Sequence, residues 1–518
     1  MKPSSFCYVS TNPCKEELFG SLLSLSLYHR DAPVFLICDD DTARYIDEST
    51  PKIKLDITFI PLLNTYTNET RTTMEEKGIF GKFLEFKMNV MSVALDQYED
   101  TLFVDCDIIF TNVVDICEGY EVGLSPQFIS KEHRIKTGEY NAGFIWTNNK
   151  QMPKVWKSLI NHTNHCPEQI NMHKLKEHFH CFDFGCEYNI QAWRHYLGDK
   201  VEFETKNKKI YHNGKQVVCI HTHFNDERFQ EFNGLFIGSV ISCDNAPLLS
   251  IVGRVLFKKW IISIPQQPQA GIHYHKNDTF RELCLLFKTK HKDVELAITP
   301  RKHVTLNGAV LFYDRPTDEW FDDEVCDSSL VYIGNMKKQD YQHIKQARPF
   351  IFWGRRPNLL ENQELSQERK HTIIYIGNIE NSVQEEYRKG DWEPYIDKYI
   401  QTKGMKHALS QSEYLQEMSQ AKFGYCPRGY GSKTNREIEC LALGVVPIFT
   451  DDTSIDYINP LIENVHYIKC NDPKDIHSII DKVDWEQMSK NCREWYMKNA
   501  HSENAWFVIL DDLFYQEQ

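Results

Sequence analysis

Short apolar runs typical of β-strands alternate with amphipathic stretches typical of helices along most of the chain. The strand-like runs are Phe6–Ser10, Val34–Cys38, Thr101–Val104, Val217–His221, Val294–Ile298, Ala309–Tyr313, Leu330–Ile333, Phe350–Trp353, Thr372–Ile376 and Val445–Thr450. The helical patterns are Phe80–Asp96, Tyr341–Ala347, Tyr414–Ala421 and Asn435–Leu443. Strands that alternate with helices pack as layers around a sheet. The pattern therefore predicts an α/β fold.

The length and two polar segments predict three domains. A chain of 518 residues is long enough for about three domains of 100–200 residues each. The segment Ile264-Pro-Gln-Gln-Pro-Gln-Ala-Gly271 follows an apolar stretch, and a second polar segment lies near Asn358–Lys370. We therefore expect units at 1–255, 256–365 and 366–518. The last two each have the size of one Rossmann-like half, and two facing halves bind a ligand in the cleft between them.

Charge and cysteine usage limit the partners and the compartment. The chain has 59 Lys+Arg against 73 Asp+Glu, a net charge of −14, which argues against nucleic acid and anionic membranes as partners. Its 16 cysteines are scattered without a CxxC pair, as in a reducing compartment with free thiols. The N-terminus lacks a signal peptide's apolar core, and no apolar run reaches the roughly 18 residues of a membrane span. We expect a soluble, cytoplasmic protein.

Two carboxylates in Phe103-Val-Asp-Cys-Asp-Ile-Ile-Phe110 form the first chemical motif. In an extended chain, Asp105 and Asp107 project to the same side and repel each other unless a cation lies between them. Oxygen ligands suit Mg²⁺ or Mn²⁺, and such an ion can offset the charge of a leaving diphosphate. The distant Cys219-Ile-His-Thr-His223 offers imidazoles as a further ligand. These residues predict a divalent cation site.

The first 225 residues resemble a known family. Phe6-Cys-Tyr-Val-Ser-Thr-Asn12, Gly81-Lys-Phe-Leu-Glu-Phe-Lys87, Phe103-Val-Asp-Cys-Asp107 and Tyr140-Asn-Ala-Gly143 occur in the order seen in GT-A nucleotide-sugar transferases of the glycogenin-like type. The resemblance implies a Rossmann-like domain with a mixed sheet and bound Mn²⁺ or Mg²⁺. It also implies a late histidine as third metal ligand, for which we favour His223 over His221.

The same resemblance implies the residues around the donor sugar. The expected donor-binding residues are Tyr8, Thr11, Lys82, Lys87, Asn141, Ala142 and Gly143. The nearest match to the family's acidic segment is Phe184-Gly-Cys-Glu-Tyr-Asn-Ile-Gln191. Glu187 and Asn189 would then face the donor sugar as catalytic residues.

A basic glycine loop marks a second site near the C-terminus. Tyr425-Cys-Pro-Arg-Gly-Tyr-Gly-Ser-Lys-Thr-Asn-Arg-Glu-Ile-Glu-Cys-Leu-Ala-Leu-Gly444 predicts a strand, a loop and a helix that ends at its last glycine. Glycines allow close backbone approach, and the N-terminus of the helix offers free N–H groups to a phosphate. Three cations, Arg428, Lys433 and Arg436, add charge for an anionic ligand. Arg436 and Glu439 share one helix face, so that one could bind diphosphate and the other ribose.

Together with the preceding segment 409–424, this loop resembles the C-terminal half of GT-B glycosyltransferases of the exostosin and fucosyltransferase-like kind. The likeness covers about residues 370–480 and implies a site that works without a metal. It implies donor-nucleotide contacts from Arg428, Gly429, Gly431, Lys433, Arg436 and Glu439. The acceptor half of such an enzyme would lie in 256–365, where the candidate bases are His273, His275, Asp278 and Asp314.

Together, these motifs predict a GT-A domain followed by a GT-B unit, hence a bifunctional glycosyltransferase. It would transfer two sugars from UDP- or GDP-linked donors onto a growing glycan, or onto a glycoprotein. One alternative is a single active transferase with the other unit as a non-catalytic glycan- or nucleotide-sugar-binding module. Another is a nucleotide-sugar-binding scaffold without turnover. The chain looks like soluble transferases of large DNA viruses or bacteria, and a viral source would place it in the host cytoplasm.

Overall fold

The structure is a computed structural model. It describes residues 1–266, 274–301, 304–308, 310–313, 329–335, 337, 339, 346–350, 354–366, 368–377, 390–401, 409–429 and 431–516. The chain divides into two compact units, Met1–Lys258 and Lys259–Gln518. Strands alternate with helices in both units, which confirms the α/β expectation. The predicted division of the second unit into two domains stays a prediction.

The first unit contains strands β1–β13 and helices α1–α9. The strands are β1 (Phe6–Val9), β2 (Pro33–Ile37), β3 (Asp56–Ile60), β4 (Thr101–Val104), β5 (Ile108–Phe110), β6 (Val122–Pro126), β7 (Tyr140–Thr147), β8 (Cys181–Asp183), β9 (Ile190–Gln191), β10 (Glu204–Lys206), β11 (Lys209–His212), β12 (Lys215–Gln216) and β13 (Cys219–His221). The helices are α1 (Lys15–Tyr28), α2 (Asp40–Glu48), α3 (Arg71–Glu76), α4 (Phe80–Leu95), α5 (Lys131–Thr137), α6 (Met152–Ser158), α7 (Ala192–Leu197), α8 (Gln230–Ser242) and α9 (Ala246–Phe257). Short 3₁₀ helices lie at Asn12–Cys14, Asn64–Tyr66, Met172–Glu177 and Glu227–Phe229.

A mixed sheet forms the centre of the first unit. Its strand order is β3-β2-β1-β4-β7-β6-β8. Strands β3, β2, β1 and β4 are parallel neighbours, whereas β7 runs antiparallel to β4 and β6. Parallel strands are usually covered on both faces, which explains why β1 and β4 are completely buried runs rather than alternating ones. The mixed sheet agrees with the expected fold of this region.

Local polar contacts define where the elements of the first unit begin and meet. Asp39 follows β2, and its carboxylate accepts from Thr42 N at 2.9 Å, so that it caps α2. At the other side of the sheet, the buried Trp146 donates from Nε1 to Asp100 Oδ1 at 2.9 Å. Asp100 directly precedes β4, and this bond therefore links the start of β4 to β7.

The second unit contains strands β14–β24 and helices α10–α16 among the residues described. The strands are β14 (Trp260–Pro265), β15 (Val294–Thr299), β16 (Val304–Leu306), β17 (Val310–Tyr313), β18 (Leu330–Ile333), β19 (Ala347–Pro349), β20 (His371–Gly377), β21 (Lys398–Gln401), β22 (Ala421–Tyr425), β23 (Val446–Phe449) and β24 (Ile468–Lys469). The helices are α10 (Tyr274–Lys290), α11 (Pro357–Glu361), α12 (Gln411–Met418), α13 (Asn435–Leu443), α14 (Ile476–Ile480), α15 (Trp485–Asn499) and α16 (Ser502–Tyr515). Short 3₁₀ helices lie at Gly390–Tyr395 and Pro473–Asp475.

These strands form two sheets. The first has the order β15-β14-β16-β17-β18-β19, in which β16 runs antiparallel to both neighbours. The second has the order β21-β20-β22-β23-β24, and all its pairs are parallel. In the described parts of the chain, no helix combines the length and the apolar character that crossing a membrane requires.

The structure contains one strand near residue 347 that the sequence does not predict, and residues 341–345 of the helix predicted beside it lie outside the described residues. The structure has a strand at Ala347–Pro349, paired with β18, where the sequence predicts the end of a helix at Tyr341–Ala347. The strand predicted at Phe350–Trp353 begins after this one, and residues 351–353 lie outside the described residues. Arg348 explains the error. It makes the strand look polar, although its guanidinium pairs with the buried Asp512 at 3.0 Å, a contact 164 residues away.

Thiol exposure yields a first prediction. No disulfide joins the cysteines within the described ranges, and Cys117 is the one exposed thiol among them. Burial raises the pKa of the Cys7 thiol to about 12. Because the thiolate is the reactive form, we expect a maleimide at pH 8 to label Cys117 first and Cys7 only after unfolding. Peptide mass spectrometry would measure both rates, and equal labelling of the two peptides in native protein would contradict the packing of β1.

Candidate functional site

The Asp105-Cys-Asp107 motif lies where the chain passes from one sheet to another. Strand β4 ends at Val104, and Asp105 N then donates to Gly143 O at 2.8 Å. Residues 106 and 107 form a turn, after which β5 joins a small sheet with the order β5-β13-β9. The expected extended conformation is therefore wrong, because the chain must turn to change sheets. The two carboxylates face different partners.

Asp107 faces both histidines of the downstream motif. Strand β5 pairs antiparallel with β13, and this register places His221 opposite Ile108, next to Asp107. Asp107 Oδ1 lies 2.8 Å from His221 Nε2, and its Oδ2 lies 2.8 Å from His223 Nδ1. One ligand atom from each of the three residues lies within 4.8 Å of the others. Within the described residues, this is the one group of His, Cys, Asp or Glu side chains spaced to hold a metal ion.

The electrostatics of this cluster favour charged groups in spite of burial. Burial opposes ionisation of Asp107, but His221 and His223 outweigh it and hold the pKa of the carboxyl well below its usual range. Burial likewise opposes the imidazolium of His221, and Asp107 raises its pKa nevertheless. Asp107 and His221 therefore each favour the charged form of the other.

The arrangement fits a divalent cation. A carboxylate with two imidazoles is a donor set that a borderline divalent ion accepts. Asn189 Oδ1 lies 3.1 Å from His221 Nδ1 and can hold the proton there, which leaves Nε2 for a ligand. His223 Nε2 is buried without a hydrogen-bond partner among the described residues. An unsatisfied buried ring nitrogen of this kind is available as a ligand atom for a cation.

Asp105 is paired with a buried lysine. Lys87 Nζ, on α4, lies 2.9 Å from Asp105 Oδ1 and 3.6 Å from Glu168 Oε1. Burial lowers the pKa of this ammonium, yet the two carboxylates outweigh burial and raise it overall. A Cβ on Gly143 would come within 2.4 Å of Asp105 Oδ2, so that only glycine leaves room for this carboxylate. Lys87 and Gly143 therefore fix the orientation of Asp105.

These residues line a cavity of about 760 Å³ at the carboxyl ends of β1 and β4. This size matches the usual range of small-molecule sites. The predicted site residues that line it are Thr11, Lys87, Asp105, Asp107, Asn141, Ala142, Gly143, His221 and His223. The polar side chain of Asn141 is held there by Gln191 Oε1, at 3.2 Å from its Nδ2.

Four other predicted residues lie elsewhere. The Tyr8 side chain turns toward α1, where its hydroxyl lies 3.2 Å from Ser21 Oγ. Lys82 is exposed on α4, and Glu187 pairs with Lys215 at 3.1 Å. Asn189 is buried behind His221, and its Nδ2 donates to Asn141 Oδ1 at 2.9 Å. Asn189 therefore joins the cation cluster to the 140–143 segment. Direct donor contacts for these four residues stay predictions.

Two residues that line the cavity received no role in the sequence analysis. Gln191 is almost completely buried, and its Nε2 has no hydrogen-bond partner among the described residues. Glu17, on the first turn of α1, accepts from Asn225 N at 3.2 Å. Burial, followed by the charge of Asp107, raises the pKa of Glu17 to about 7. Gln191 could have been suggested by its i+2 spacing from Asn189, whereas the helical pattern around Glu17 offers no such sign.

The second unit has the predicted strand, loop and helix. Strand β22 leads into the loop, and α13 follows it and ends at Gly444, whose φ of 63° is the left-handed conformation that glycine adopts readily. A Cβ on Gly431 would come within 2.3 Å of Asn335 Oδ1, the atom that accepts from Lys433 N at 2.8 Å. Close packing against Asn335 therefore requires a glycine here. Tyr430 lies outside the described residues.

Two of the three loop cations point inward. Lys433 is buried, contacts the main-chain carbonyls of Phe350 and Asp456, and lies 4.1 Å above the Tyr457 ring. Burial lowers its pKa to about 7. Arg436 donates from Nη2 to Ile376 O at 2.8 Å, while its buried Nε and Nη1 have no hydrogen-bond partner among the described residues. Arg436 therefore has two buried donors that a ligand could use, and Arg428 is half-buried.

Glu439 is held by three neighbours. It accepts from Tyr414 Oη at 2.8 Å, from Arg355 N at 3.0 Å and from Gln411 Nε2 at 3.3 Å. Burial raises its pKa. These bonds hold the Glu439 carboxylate in place, and its contact with a ribose stays a prediction.

The remaining candidate bases cannot be placed at the site. His273 and Asp314 lie outside the described residues. His275 and Asp278 belong to α10, but their side chains lie outside the described part of the structure. Their proposed role as bases stays a prediction.

Comparisons with known proteins give structural likenesses only. No protein-family model matches the sequence, and no curated protein matches it. Mouse xyloside xylosyltransferase 1 in its apo form is similar at 10% sequence identity, with a TM-score of 0.29. The match covers 43% of this chain and 99% of the mouse protein. Galactosyltransferase LgtC in complex with donor and acceptor sugar analogues is similar at 11% sequence identity, with a TM-score of 0.27. The match covers 44% of this chain and 95% of LgtC. Glycosyltransferase GlyE of Streptococcus pneumoniae TIGR4 is similar at 11% sequence identity, with a TM-score of 0.28. The match covers 92% of this chain and 98% of GlyE. All three are glycosyltransferases, but at these TM-scores the likenesses define neither the fold nor the activity of this chain.

Proposed function

We propose that the chain is a glycosyltransferase whose first unit uses a nucleotide-sugar donor and a divalent cation. The observation that carries this proposal is the cluster of Asp107, His221 and His223 in the wall of a cavity of about 760 Å³. A nucleoside diphosphate sugar combines a charged centre with two neutral, hydroxyl-rich ends. The cavity offers contacts to both parts, because its walls contain the cation cluster and the Lys87–Asp105 pair together with neutral polar groups such as Thr11 and Asn141.

Each side chain has a role that its contacts support. Asp107, His221 and His223 would hold Mn²⁺ or Mg²⁺, which when bound offsets negative charge on a departing diphosphate. Asn189 holds the His221 ring in orientation, and Lys87 holds Asp105. Gln191 Nε2 is a buried donor without a partner among the described residues, so a sugar oxygen would satisfy it.

The second unit is proposed as a metal-independent donor site with two Rossmann-like halves, which would make the protein bifunctional. Arg436 supports this proposal, because its Nε and Nη1 are buried donors that a diphosphate would satisfy. The positive end of the α13 dipole adds to this potential. The acceptor would be a glycan or glycoprotein. The alternative is a single active transferase in the first unit, with the second unit as a non-catalytic binding module.

A thermal-shift screen of UDP- and GDP-sugars tests the proposal. We expect one donor to raise the melting temperature only with Mn²⁺, because its diphosphate requires the cation. A second donor should act without the metal, because Arg436 supplies the charge at that site. Screening with EDTA provides the control. A protein that no nucleotide sugar stabilises under either condition would contradict both sites.

Donor-hydrolysis assays on Asp107→Ala and Arg436→Ala separate the bifunctional enzyme from its alternative. If two activities exist, each substitution should abolish one and leave the other. If Asp107→Ala removes all activity and Arg436→Ala changes none, the second unit is a binding module. Melting curves of both variants would verify that each unit still folds.

A further inference from the structure

The turn that carries His223 lies just after strand β13 and is held by contacts with other parts of the chain. It begins after β13 and continues to the 3₁₀ helix Glu227–Phe229. Thr222 N donates to Asp107 O at 2.9 Å, and Asp226 N donates to His223 O at 3.0 Å. His223 has a φ of 49°, in the left-handed region that non-glycine residues adopt only at a cost in free energy. Such a conformation persists only where neighbouring contacts maintain it.

Glu17 provides the contact at the far end of this turn. Its carboxylate is 6% exposed and accepts from Asn225 N at 3.2 Å, although the two residues are 208 positions apart. Glu17 lines the same cavity as Asp107 and His223. A buried carboxylate requires a donor, and a turn N–H in a cavity wall requires an acceptor, so that each stabilises the other. Helix α1 thereby anchors the turn from its first residues.

We propose that Glu17 is a positioning residue that holds the 222–226 turn, so that His223 joins Asp107 and His221 in binding the cation. The inference rests on the cation site of the proposed function and assigns a further residue to it. His221 needs no such help, because it belongs to β13 and is fixed by strand pairing and by Asn189. His223 lies beyond the strand, and the anchored turn is what presents its ring to Asp107.

Two substitutions test separately whether the length or the charge of the Glu17 side chain matters. Glu17→Gln keeps an acceptor oxygen at the same reach, whereas Glu17→Asp keeps the charge but is one methylene too short for Asn225 N. Mn²⁺ affinity is read by electron paramagnetic resonance of the free ion. Partners that orient metal ligands typically change affinity by 10–100-fold, so we expect Glu17→Asp to weaken binding about tenfold and Glu17→Gln to bind like wild type.

A double-mutant cycle with His223→Ala then tests the route of the effect. If Glu17 acts through His223, Glu17→Asp should cause no further loss in a His223→Ala background. Equal losses in both backgrounds overturn the proposal, and so does wild-type affinity in Glu17→Asp. A loss in Glu17→Gln as large as in Glu17→Asp would make Glu17 a direct ligand, which also overturns it. Melting temperatures of the variants show whether a weaker affinity reflects lost folding.

The same measurements distinguish this inference from the proposed function. One outcome is that the variants behave in the cycle as expected, while the wild type binds Mn²⁺ but releases no nucleotide from any donor. This outcome supports the positioning role of Glu17 and contradicts the transferase activity. A wild type that hydrolyses a donor with Mn²⁺ while Glu17→Asp keeps full affinity supports the transferase and overturns the role of Glu17.

Discussion

Replacing Asp107 with asparagine should remove almost all Mn²⁺-dependent transfer at the first site. Both carboxylate oxygens contact imidazoles, each at 2.8 Å. Asparagine keeps the shape but loses the charge and one acceptor oxygen, so it can neither neutralise a cation nor orient both rings. Loss of one electrostatic contact to a developing charge costs about 10²–10³ in kcat, and loss of the cation removes a larger interaction. We therefore expect kcat/KM to fall on the order of a thousandfold or more.

Nucleotide release from the stabilising donor, with Mn²⁺ titrated, measures this loss. Asp115→Asn is a matched control, because Asp115 is an exposed aspartate of the same unit. The control should keep wild-type kinetics and Mn²⁺ dependence. If Asp107→Asn lost less than about tenfold in kcat/KM, an effect of only about 1.4 kcal/mol, Asp107 could not be holding the ion that assists catalysis.

Replacing Lys87 with methionine should destabilise the first unit strongly. The ammonium is the cation between Asp105 at 2.9 Å and Glu168 at 3.6 Å, and the Lys87 side chain is 9% exposed. Breaking a buried ion pair from one side costs about 3–5 kcal/mol, because the remaining charge keeps its desolvation penalty. Asp105 is 28% exposed, and we therefore expect the lower end, about 3 kcal/mol. For a unit of this size, that corresponds to a melting temperature lower by about 6–12 °C.

Calorimetry of the full chain measures the effect on the transition of the first unit. Lys82→Met is the matched control, because Lys82 is exposed on the same helix. It should melt within about 1–2 °C of wild type, as surface substitutions usually change stability by less than 0.5 kcal/mol. Equal melting of both variants would mean that water or rearrangement satisfies Asp105 and Glu168 without Lys87.

The sequence predicts much of the scaffold, since local patterns carry that information. The run Asn435–Leu443 is a helix with the predicted bounds, because its apolar spacing and the glycine after it are both local signals. Strand β23, which follows this helix, and strand β4, which precedes the Asp105–Asp107 motif, also lie close to their predicted bounds. Strand β19 is not predicted, because Arg348 interrupts its apolar pattern. The partner that neutralises Arg348 is Asp512, on a helix 164 residues away in the chain.

The sequence by itself determines which chemical groups exist and where strands end: a carboxylate pair after β4, imidazoles at the end of β13 and just beyond it, and cations after β22. The tertiary structure alone decides their partners. The pairing of β5 with β13 brings Asp107 to the histidines, α4 brings Lys87 to Asp105, and α1 brings Glu17 to the turn. The physical reason is that charge pairing and burial depend on distance in space. Residues far apart in the chain become neighbours only through strand register and helix packing, which no local pattern records.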